Sequence, residues 1–463
     1  MRGTKDGGSR LYVYLIVSVA ACAGLLFGFD IAVINGAIVF LRSQFRLSDL
    51  QTEVAAGSLL LGCALGAGFA GILSDRYGRR RTLIGAAALF AISSVAAAVP
   101  DSLNEFIVAR VLAGIATGIA SMLAPMYIAE NSPPELRGRF VTFNQLAIVS
   151  GILLAYLANC AFAATGPNAW RWMFAAAAAP AIAFCVALLF VPESPRWLIK
   201  EHRKDEAMRI LVRIAGQQRA HAEAEEIRRT LEEEAGSLRE LTRPGLRLPL
   251  IIAVTLAILQ QISGVNTVLY YGALIFRQQS GEQSATGAIA LNVAVGVVNA
   301  ISTLVAIAVI DKIGRKPLLL LSSAGMAASL TWMGFAFRIA PPPTMLILFA
   351  ILCYVFSFGA GMGPGVWVLM SELFPTRVRG RAMAVATVSL WLACLLLTST
   401  FLSLVGAIGA AGAFWGYAGI CVFSFFFIWR VPPETKGRTL EEIERFWKRA
   451  PIIESHPTAS PPY

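Results

Sequence analysis

Three carboxamide side chains lie close together inside an apolar part of the sequence. Gln260, Gln261 and Asn266 stand within two helical turns of each other in the segment QQISGVNTVLYYG. A carboxamide both donates and accepts hydrogen bonds, which suits a ligand that carries several hydroxyl groups. Gly264 lies between the amides and weakens the helix at that point. The segment therefore predicts a polar cavity within a bundle of apolar helices, the alternative being that the amides only join neighbouring helices.

A carboxylate and a guanidinium also lie inside apolar segments. Asp30 stands in GLLFGFDIAVING and Arg110 in EFIVARVLAG. If both segments cross a membrane, the two charges lie about 15 and about 10 Å below the same face at 1.5 Å per residue, so they can pair. Charged side chains at matched depth in a membrane are costly and mark functional sites. We therefore expect Asp30 and Arg110 to meet within the bundle, the alternative being a permanent structural ion pair.

The composition of the whole chain is that of a membrane protein. Of 463 residues, 57% are hydrophobic and only 14% are charged, which a soluble domain does not show. The net charge of +11 does not indicate a nucleic-acid-binding protein, because the positive residues concentrate in loops on one side. The seven cysteines lie in apolar segments without paired or metal-ligand spacing. We therefore expect no metal site and no cofactor.

Twelve apolar segments have the length of a membrane-spanning helix. They cover residues 12–40, 52–73, 82–99, 104–128, 140–163, 170–191, 249–276, 286–310, 317–338, 345–371, 381–404 and 411–431. Between the sixth and seventh segments, residues 192–248 are rich in charge and predict short amphipathic helices outside the membrane. The prediction is an all-α membrane protein with two six-helix bundles, at 1–191 and 249–431, joined by this linker and followed by a cytoplasmic tail at 432–463.

The two predicted bundles repeat each other's charged motifs. The segment DRYGRR corresponds to DKIGRK, ENSPPELRG to ELFPTRVRG, and PES to PET. All three pairs keep nearly one offset of about 240 residues, which indicates a duplicated six-helix unit. Such a duplication places a cavity between two similar bundles, and rocking of the bundles opens the cavity to each side in turn.

The distribution of positive charge predicts the orientation. If both chain ends lie in the cytoplasm, most of the 39 Lys and Arg residues fall in cytoplasmic loops, the linker and the tails. Positive residues favour the cytoplasmic side of membrane helices. We therefore expect a multi-pass protein of the cell (inner) membrane with both termini in the cytoplasm.

Several motifs together resemble those of the sugar porters of the major facilitator superfamily, including bacterial proton-coupled pentose and hexose symporters and facilitative glucose transporters. The motifs are QQISGVNTVLYYG, PESPRWL, DRYGRR and GPGVWVLMSELFPTRVRG, and the resemblance covers nearly the whole chain. It implies the twelve-helix major facilitator fold with pseudo-twofold halves. It also implies a sugar and a proton as partners within a lipid bilayer, no nucleic acid partner, and function as a monomer.

The resemblance also selects residues that contact the sugar. Besides the three amides, it implies contacts from five further segments, at Gln145, Asn299, Gly363, Trp367, Phe27 and Trp391. The indole of Trp367 suits an apolar sugar face, while its N–H can reach a hydroxyl group. One position departs from the family, because Cys394 stands where many members carry an asparagine that touches the sugar. A thiol is a poor substitute for an amide, so the identity of the sugar stays open.

The resemblance further implies a network of ion pairs at the cytoplasmic ends of the helices. Its members are Asp75, Arg79, Glu130, Arg137, Glu193, Asp311, Arg315, Glu372, Arg379 and Glu434. The network is expected to join neighbouring helices and the two halves, and so to hold the cytoplasmic side closed while the outer side is open. Only a network can bias this equilibrium, since single surface pairs are weak. The alternative is that the positive residues only anchor the helix ends.

In the proton-coupled members of this family, an aspartate at the position of Asp30 accepts the proton and an arginine at the position of Arg110 holds its charge, whereas many facilitators carry asparagine instead of the aspartate. The resemblance therefore implies a proton-coupled importer of a pentose or hexose that works by alternating access. An uncoupled sugar or polyol uniporter is the first alternative, and a non-transporting sugar sensor is the second. An enzyme is not expected, because the sequence has no intramembrane catalytic triad, metal-ligand cluster or phosphate-binding loop.

Overall fold

The computed structural model describes residues 9–133, 137–233, 238–242, 245–279, 284–374 and 376–436. Within these ranges the chain is helical and contains no β-strand. Twelve helices there are long and apolar enough to cross a membrane, which confirms the predicted number. They are numbered as spans 1 to 12: Arg10–Gln44, Asp49–Tyr77, Arg79–Ala98, Leu103–Glu130, Phe143–Ala163, Ala169–Leu188, Arg247–Arg277, Ala285–Ile310, Arg315–Ala336, Thr344–Glu372, Val378–Thr398 and Phe401–Arg430. Spans 1 to 6 form the first half and spans 7 to 12 the second half.

Some of these spans are longer helices or consist of several pieces. The helices that carry spans 5, 8 and 11 are Arg137–Ala163, Ala285–Ile313 and Thr376–Thr398. Span 6 consists of the two helices Ala169–Ala176 and Ala178–Leu188. Span 7 consists of Arg247–Ile262, Val265–Leu274 and the π-helical turn Ile275–Gln279. Span 10 consists of Thr344–Ser357, the π-helical turn Phe358–Met362 and Gly363–Glu372. Irregular backbone inside a membrane bundle is tolerated where it lines a cavity or is buried in protein. The breaks in spans 7 and 10 therefore point to a site between these two spans.

The predicted linker contains short helices. They are Pro195–Lys200, Lys204–Ala215, Gln217–Glu233 and the 3-10 helix Leu238–Thr242. Trp197, Leu198 and Leu211 belong to an apolar core of their own. The indole N–H of Trp197 donates to the carbonyl of Asp75 at 3.0 Å, so these helices lie against the end of span 2. We call this side of the bundle the linker face and the opposite side the far face.

Spans 2 and 4 of the first half pack backbone against backbone. A methyl group on Gly62 would lie 2.1 Å from the carbonyl oxygen of Val111, and one on Gly118 would lie 2.2 Å from that of Cys63. Small residues let membrane helices approach this closely. The pairing fixes span 4 deep in the first half, and with it the buried side chain of Arg110.

The boundary between the last two spans differs from the prediction. The apolar segments predicted a loop at residues 405–410, whereas span 11 ends at Thr398 and span 12 begins at Phe401. The hydroxyl of Thr400 donates to a carbonyl of span 11 at 2.7 Å, and such bonds compete with the helical ladder. Gly409, with a φ of 75°, bends span 12 without ending it. Hydrophobicity alone located the glycine-containing bend and missed the two-residue turn.

Gly78 and Gly314 occupy matching turns of the two halves, between spans 2 and 3 and between spans 8 and 9. Their φ angles of 94° and 104° are unfavourable for any residue with a side chain. A methyl group on Gly78 would also lie 2.4 Å from Oε2 of Glu193. We therefore expect Gly78→Ala to lower the free energy of unfolding by about 1–3 kcal/mol, measured as a lower unfolding temperature in detergent.

Gly85→Ala is the matched control for this substitution. Gly85 lies in the regular helix of span 3, and a methyl group there meets no atom within 4 Å. Alanine is a better helix former than glycine, so this variant should unfold at the wild-type temperature or above it. Equal unfolding temperatures for the two variants would contradict the geometry of the turn at Gly78.

Candidate functional site

The three carboxamides of span 7 form one hydrogen-bonded row. Nε2 of Gln260 donates to the carbonyl oxygens of Met362 and Gly363 at 2.8 and 2.9 Å. Gln261 donates to Oε1 of Gln260 at 3.1 Å, and Asn266 donates to Oε1 of Gln261. We call Gln260, Gln261 and Asn266 the amide row. The row is buried, and it ties span 7 to the end of the π-helical turn in span 10.

The break in span 7 lies between the glutamines and the asparagine of this row. In an unbroken helix, side chains five residues apart would point about 140° away from each other. Gly264 breaks the helix with a φ of 101°, which lets Asn266 reach Gln261. The hydroxyl of Tyr354 donates to the carbonyl of Ser263 at 3.1 Å. Span 10 therefore helps to hold the break that brings the amides together.

Cys394 of span 11 closes the other end of the amide row. Its Sγ accepts a hydrogen bond from Nδ2 of Asn266 at 2.9 Å, and the thiol is buried. Sulfur is a weak acceptor, so this end of the row is held less strongly than the end bound to the backbone of span 10. Cys394, which the resemblance singled out as a departure from the sugar porters, thus lies directly on the row.

Two aromatic side chains from opposite halves face each other, and one of them, Trp391, stands one helical turn before Cys394. Phe27 of span 1 and Trp391 of span 11 have ring centroids 5.4 Å apart and ring planes at 79°. Nε1 of Trp391 and the hydroxyl of Tyr270 are buried and have no hydrogen-bond partner among the described residues. A buried polar group without a partner is costly, so both groups are available to a polar ligand. Tyr270 was not assigned to the site from the sequence, although it follows Asn266 by one helical turn on the same face.

The structure describes no contact of Asn299, Trp367 or Gln145 with the amide row, although the resemblance assigned all three to the site. A methyl group on Gly359 of the π-helical turn would lie 3.2 Å from Oδ1 of Asn299, so Asn299 borders span 10. Trp367 follows Gly363 by one turn and is partly buried against the apolar core. Gln145 is half-buried on span 5 in the other half, and within the described part of the chain it makes no hydrogen bond to the amide row.

Asp30 and Arg110 pair deep inside the first half, as their matched depths predicted. Nη1 of Arg110 donates to Oδ1 of Asp30, and Nη2 donates to the backbone carbonyl of Asp30 at 3.3 Å. Only 3% and 1% of the two residues are exposed. The hydroxyl of Thr117 donates to the other carboxylate oxygen at 3.3 Å. Thr117 lies two turns after Arg110 on the same face of span 4, a spacing from which it could have been identified.

Tyr270 lies near both this ion pair and the Cys394 end of the amide row. It lies within electrostatic range of Asp30, Arg110 and Cys394. The ring of Phe174 lies 5.1 Å from Cζ of Arg110, and both members of the pair are buried away from water. Charges interact more strongly in such surroundings than in water. A change in the charge of Asp30 therefore acts strongly on Arg110 and on the other groups close to the pair.

The predicted charges at the linker face form a cluster in the first half. Arg79 donates to both carboxylate oxygens of Glu130 at 3.1 and 3.2 Å, and to Asp75 at 3.2 Å. The carboxylate of Glu193 accepts from the backbone N–H of Arg80 at 3.0 Å. This last contact satisfies an N–H at the start of span 3 that has no helical partner.

The second half repeats the cluster. Arg315 donates to Glu372 at 2.9 Å, as Arg79 does to Glu130. Glu434 accepts from the backbone N–H of Arg315 at 3.2 Å and from that of Lys316 at 3.0 Å, at the start of span 9. The duplication predicted from the motifs therefore holds at the level of hydrogen bonds.

The described contacts of this network lie within each half, so its predicted contacts between the halves stay a prediction for the conformation with an open far face. The ion pairs of Arg79 and Arg315 each lie within one half. Arg379 donates to the carbonyl of Phe374 in its own half at 3.3 Å. The side chains of Arg137 and Asp311 lie outside the described residues. The reason lies at the opposite end of the bundle, where the halves are in contact.

The halves are joined at the far face by Asn35 of span 1. Its Nδ2 donates to the carbonyl oxygens of Val268 and Leu269 at 3.2 and 2.9 Å, and its Oδ1 accepts from the N–H of Ala273 at 3.0 Å. In a regular helix the N–H of Ala273 would bind the carbonyl of Leu269, so the Asn35 amide is inserted into span 7. Tyr156 of span 5 also donates to Leu269 at 3.3 Å. The structure thus shows a conformation that is closed at the far face.

Known proteins share both the sequence and the fold of this chain. A family described as "Sugar (and other) transporter" matches residues 16–447. The arabinose-proton symporter of Bacillus subtilis (strain 168) is 39% identical over 443 residues, which cover 94% of this chain and 95% of that protein. The D-xylose-proton symporter of Escherichia coli (strain K12) is 38% identical over 475 residues, which cover 94% of this chain and 96% of that protein. A structure of the xylose transporter XylE from E. coli, in a partially occluded inward-open conformation, has a TM-score of 0.83 at 36% identity and covers 93% of this chain and 100% of that chain.

Proposed function

We propose that this chain, which belongs to the sugar transporter family, imports a pentose or hexose together with a proton. The observation that carries the proposal is that the protein interior holds both a buried carboxylate–guanidinium pair and a row of buried amides, with Tyr270 near both. The amides suit the hydroxyl groups of a sugar. The carboxylate can lose its charge to a single proton. One protein interior thus holds a group for each transported partner.

The sugar is proposed to bind between the amide row and the facing pair of Phe27 and Trp391. In that position its hydroxyl groups can bond to Nε1 of Trp391 and to the hydroxyl of Tyr270, which have no partner among the described residues. The aromatic rings suit the apolar faces of a sugar ring. Gly363, Trp367, Asn299 and Gln145 are proposed to complete the wall of the site.

The proton is proposed to bind to Asp30. Protonation removes the charge that holds the guanidinium of Arg110, and the bond between spans 1 and 4 weakens as a result. Thr117 remains beside the carboxyl group and can either donate to it or accept from it. If sugar and proton both shift the equilibrium between the same two conformations, the binding of one favours the binding of the other.

We assign the linker face to the cytoplasm, because positive residues favour that side. Closure by Asn35 at the far face then makes the described conformation inward-facing. In the opposite conformation the charge clusters around Arg79 and Arg315 are proposed to approach each other and close the linker face. The site is built from both halves of one chain, so the protein is proposed to act as a monomer in the cell membrane, with both termini in the cytoplasm.

The experiment that tests this proposal is uptake of a panel of labelled sugars into proteoliposomes, with and without an imposed pH gradient. Accumulation of a pentose or hexose only when the outside is acidic is the expected result. Equal uptake with and without the gradient would identify an uncoupled uniporter. Binding of a sugar without any uptake would identify a sensor.

The residue at position 394 is expected to govern the choice among sugars. Cys394→Asn replaces a weak acceptor with an amide that donates and accepts, at a distance of 2.9 Å from Asn266 in the present structure. Specificity is a difference between affinities, so the ranking of sugars by kcat/KM should change by about tenfold for at least one pair, with little change in the maximal rate. Competition uptake assays measure this ranking, and Cys185→Asn on span 6 is a control outside the site. An unchanged ranking in Cys394→Asn would mean that residue 394 does not contact the sugar.

A further inference from the structure

A second buried carboxylate joins the two halves at the far face. Glu53 of span 2 is fully buried, and no ion pair to it occurs among the described residues. Its Oε1 accepts from the backbone N–H of Ser403 at 2.7 Å, and its Oε2 accepts from the hydroxyl of Ser403 at 2.7 Å. Span 2 belongs to the first half and Ser403 to the second. Both hydrogen bonds therefore cross the interface between the halves.

Ser403 is the third residue of span 12, so Glu53 binds the N-terminus of that helix. The first N–H groups of a helix have no partner within it, and a negative charge is favoured at this end. Thr400, which precedes span 12, provides no side-chain cap, because its hydroxyl donates back to Leu396 at 2.7 Å. Glu53 thus supplies from the other half the cap that span 12 lacks.

The surroundings of Glu53 are closely packed. A methyl group on Gly57, one turn after Glu53, would lie 2.4 Å from Oγ of Ser399 on the other half. The ring of Tyr271 stacks on Phe401 with centroids 5.3 Å apart. A buried carboxylate is strongly destabilised when it loses its hydrogen bonds. Separation of spans 2 and 12 must therefore carry Glu53 into water or leave it without a partner.

We propose that Glu53 is a latch that holds the far face closed and sets the ratio between the two conformations of the protein. This inference rests on the proposed alternating access and deepens it by naming a residue that controls the equilibrium. In the closed conformation the carboxylate accepts two hydrogen bonds and interacts with the N-terminus of span 12. The hydrogen bonds and this interaction are lost when the far face opens. A hydrogen bond to a charged group changes an equilibrium by about tenfold or more. Loss of Glu53 should shift the population towards the open far face by at least that factor.

Hydrogen–deuterium exchange in lipid nanodiscs, followed by mass spectrometry, tests the latch. In Glu53→Ala the far-face ends of spans 2 and 12 should exchange about tenfold faster than in the wild type, while the linker-face ends exchange more slowly because that side closes. Glu53→Gln keeps an oxygen that can accept from the N–H of Ser403, so its exchange rate at these ends should lie between those of the wild type and Glu53→Ala. Ser403→Ala removes one of the two hydrogen bonds. The double variant Glu53→Ala/Ser403→Ala should therefore exchange at nearly the same rate as Glu53→Ala alone.

Glu105→Ala is the control, because Glu105 also lies at the far face but accepts from the backbone N–H of Asp101 in its own half, at 3.1 Å. It should exchange like the wild type at spans 2 and 12. Unchanged exchange in Glu53→Ala would overturn the latch. Faster exchange at both faces would overturn it too, since that result indicates general loosening. Exchange reports the latch whether or not the wild type transports sugar, so the two proposals fail separately.

Discussion

Asp30→Asn is expected to abolish the accumulation of sugar against a concentration gradient while leaving sugar binding intact. The asparagine keeps the shape of the side chain, and its oxygen can still accept from Arg110 or Thr117. It cannot take up a proton, however, and a ligand that does not bind cannot shift the equilibrium between conformations. Uptake of labelled sugar into proteoliposomes with an acidic exterior measures the effect, which should be a loss of all accumulation above the external concentration.

Two comparisons separate a loss of coupling from a loss of folding. Asp30→Asn should still exchange sugar between equal concentrations on the two sides. Asp101→Asn should accumulate sugar like the wild type, because the side chain of Asp101 is 94% exposed and its bond to Arg171 is a surface ion pair that contributes little. If Asp30→Asn proteoliposomes still concentrate sugar, Asp30 and Arg110 form a structural pair and coupling lies elsewhere.

Gln260→Ala is expected to raise the KM for sugar by about tenfold, with a similar loss of affinity in equilibrium binding. The side chain ties the amide row to the carbonyls of Met362 and Gly363 and also accepts from Gln261. Its removal leaves Nε2 of Gln261 without its acceptor, so among the described contacts only the bond from Asn266 still orients Gln261. A ligand then meets a row that is no longer held in one geometry, and imprecise positioning lowers affinity.

Gln44→Ala is the matched control for Gln260→Ala. Gln44 also accepts a hydrogen bond from a buried side chain, Nε1 of Trp170 at 2.7 Å, but it stands at the far-face end of span 1, outside the amide row. Its KM should stay near that of the wild type. An unchanged KM and an unchanged Kd in Gln260→Ala, with normal membrane insertion, would remove the amide row from the sugar site.

The number of spans and the internal duplication could be predicted because both depend on local patterns. A membrane helix needs a long apolar segment, and duplicated charged motifs can be read directly from the letters. The pairing of Asp30 with Arg110 followed from depth alone, since few charges are buried in a membrane. The amides at 260–266 could be assigned to one site because they are polar residues in an apolar segment.

Features that depend on contacts between distant segments were not accessible in this way. The hydrogen bonds from Gln260 to span 10 involve backbone carbonyls, which every residue has, so the residue types in span 10 do not indicate them. The cap that Glu53 places on Ser403 joins residues 350 positions apart. The prediction of ion pairs between the halves at the linker face described one conformation, whereas the structure shows the other, closed by Asn35 at the far face. A single sequence encodes both conformations and does not indicate which one is observed.

Sugar-driven proton movement is the most direct test of the central claim. Wild-type proteoliposomes are suspended in a weakly buffered medium without a pH gradient, sugar is added outside, and the external pH is recorded. Cotransport through Asp30 predicts that the medium becomes more alkaline as sugar enters, and that Asp30→Asn gives no such signal. Sugar entry at the wild-type rate without any change in external pH would contradict proton-coupled import.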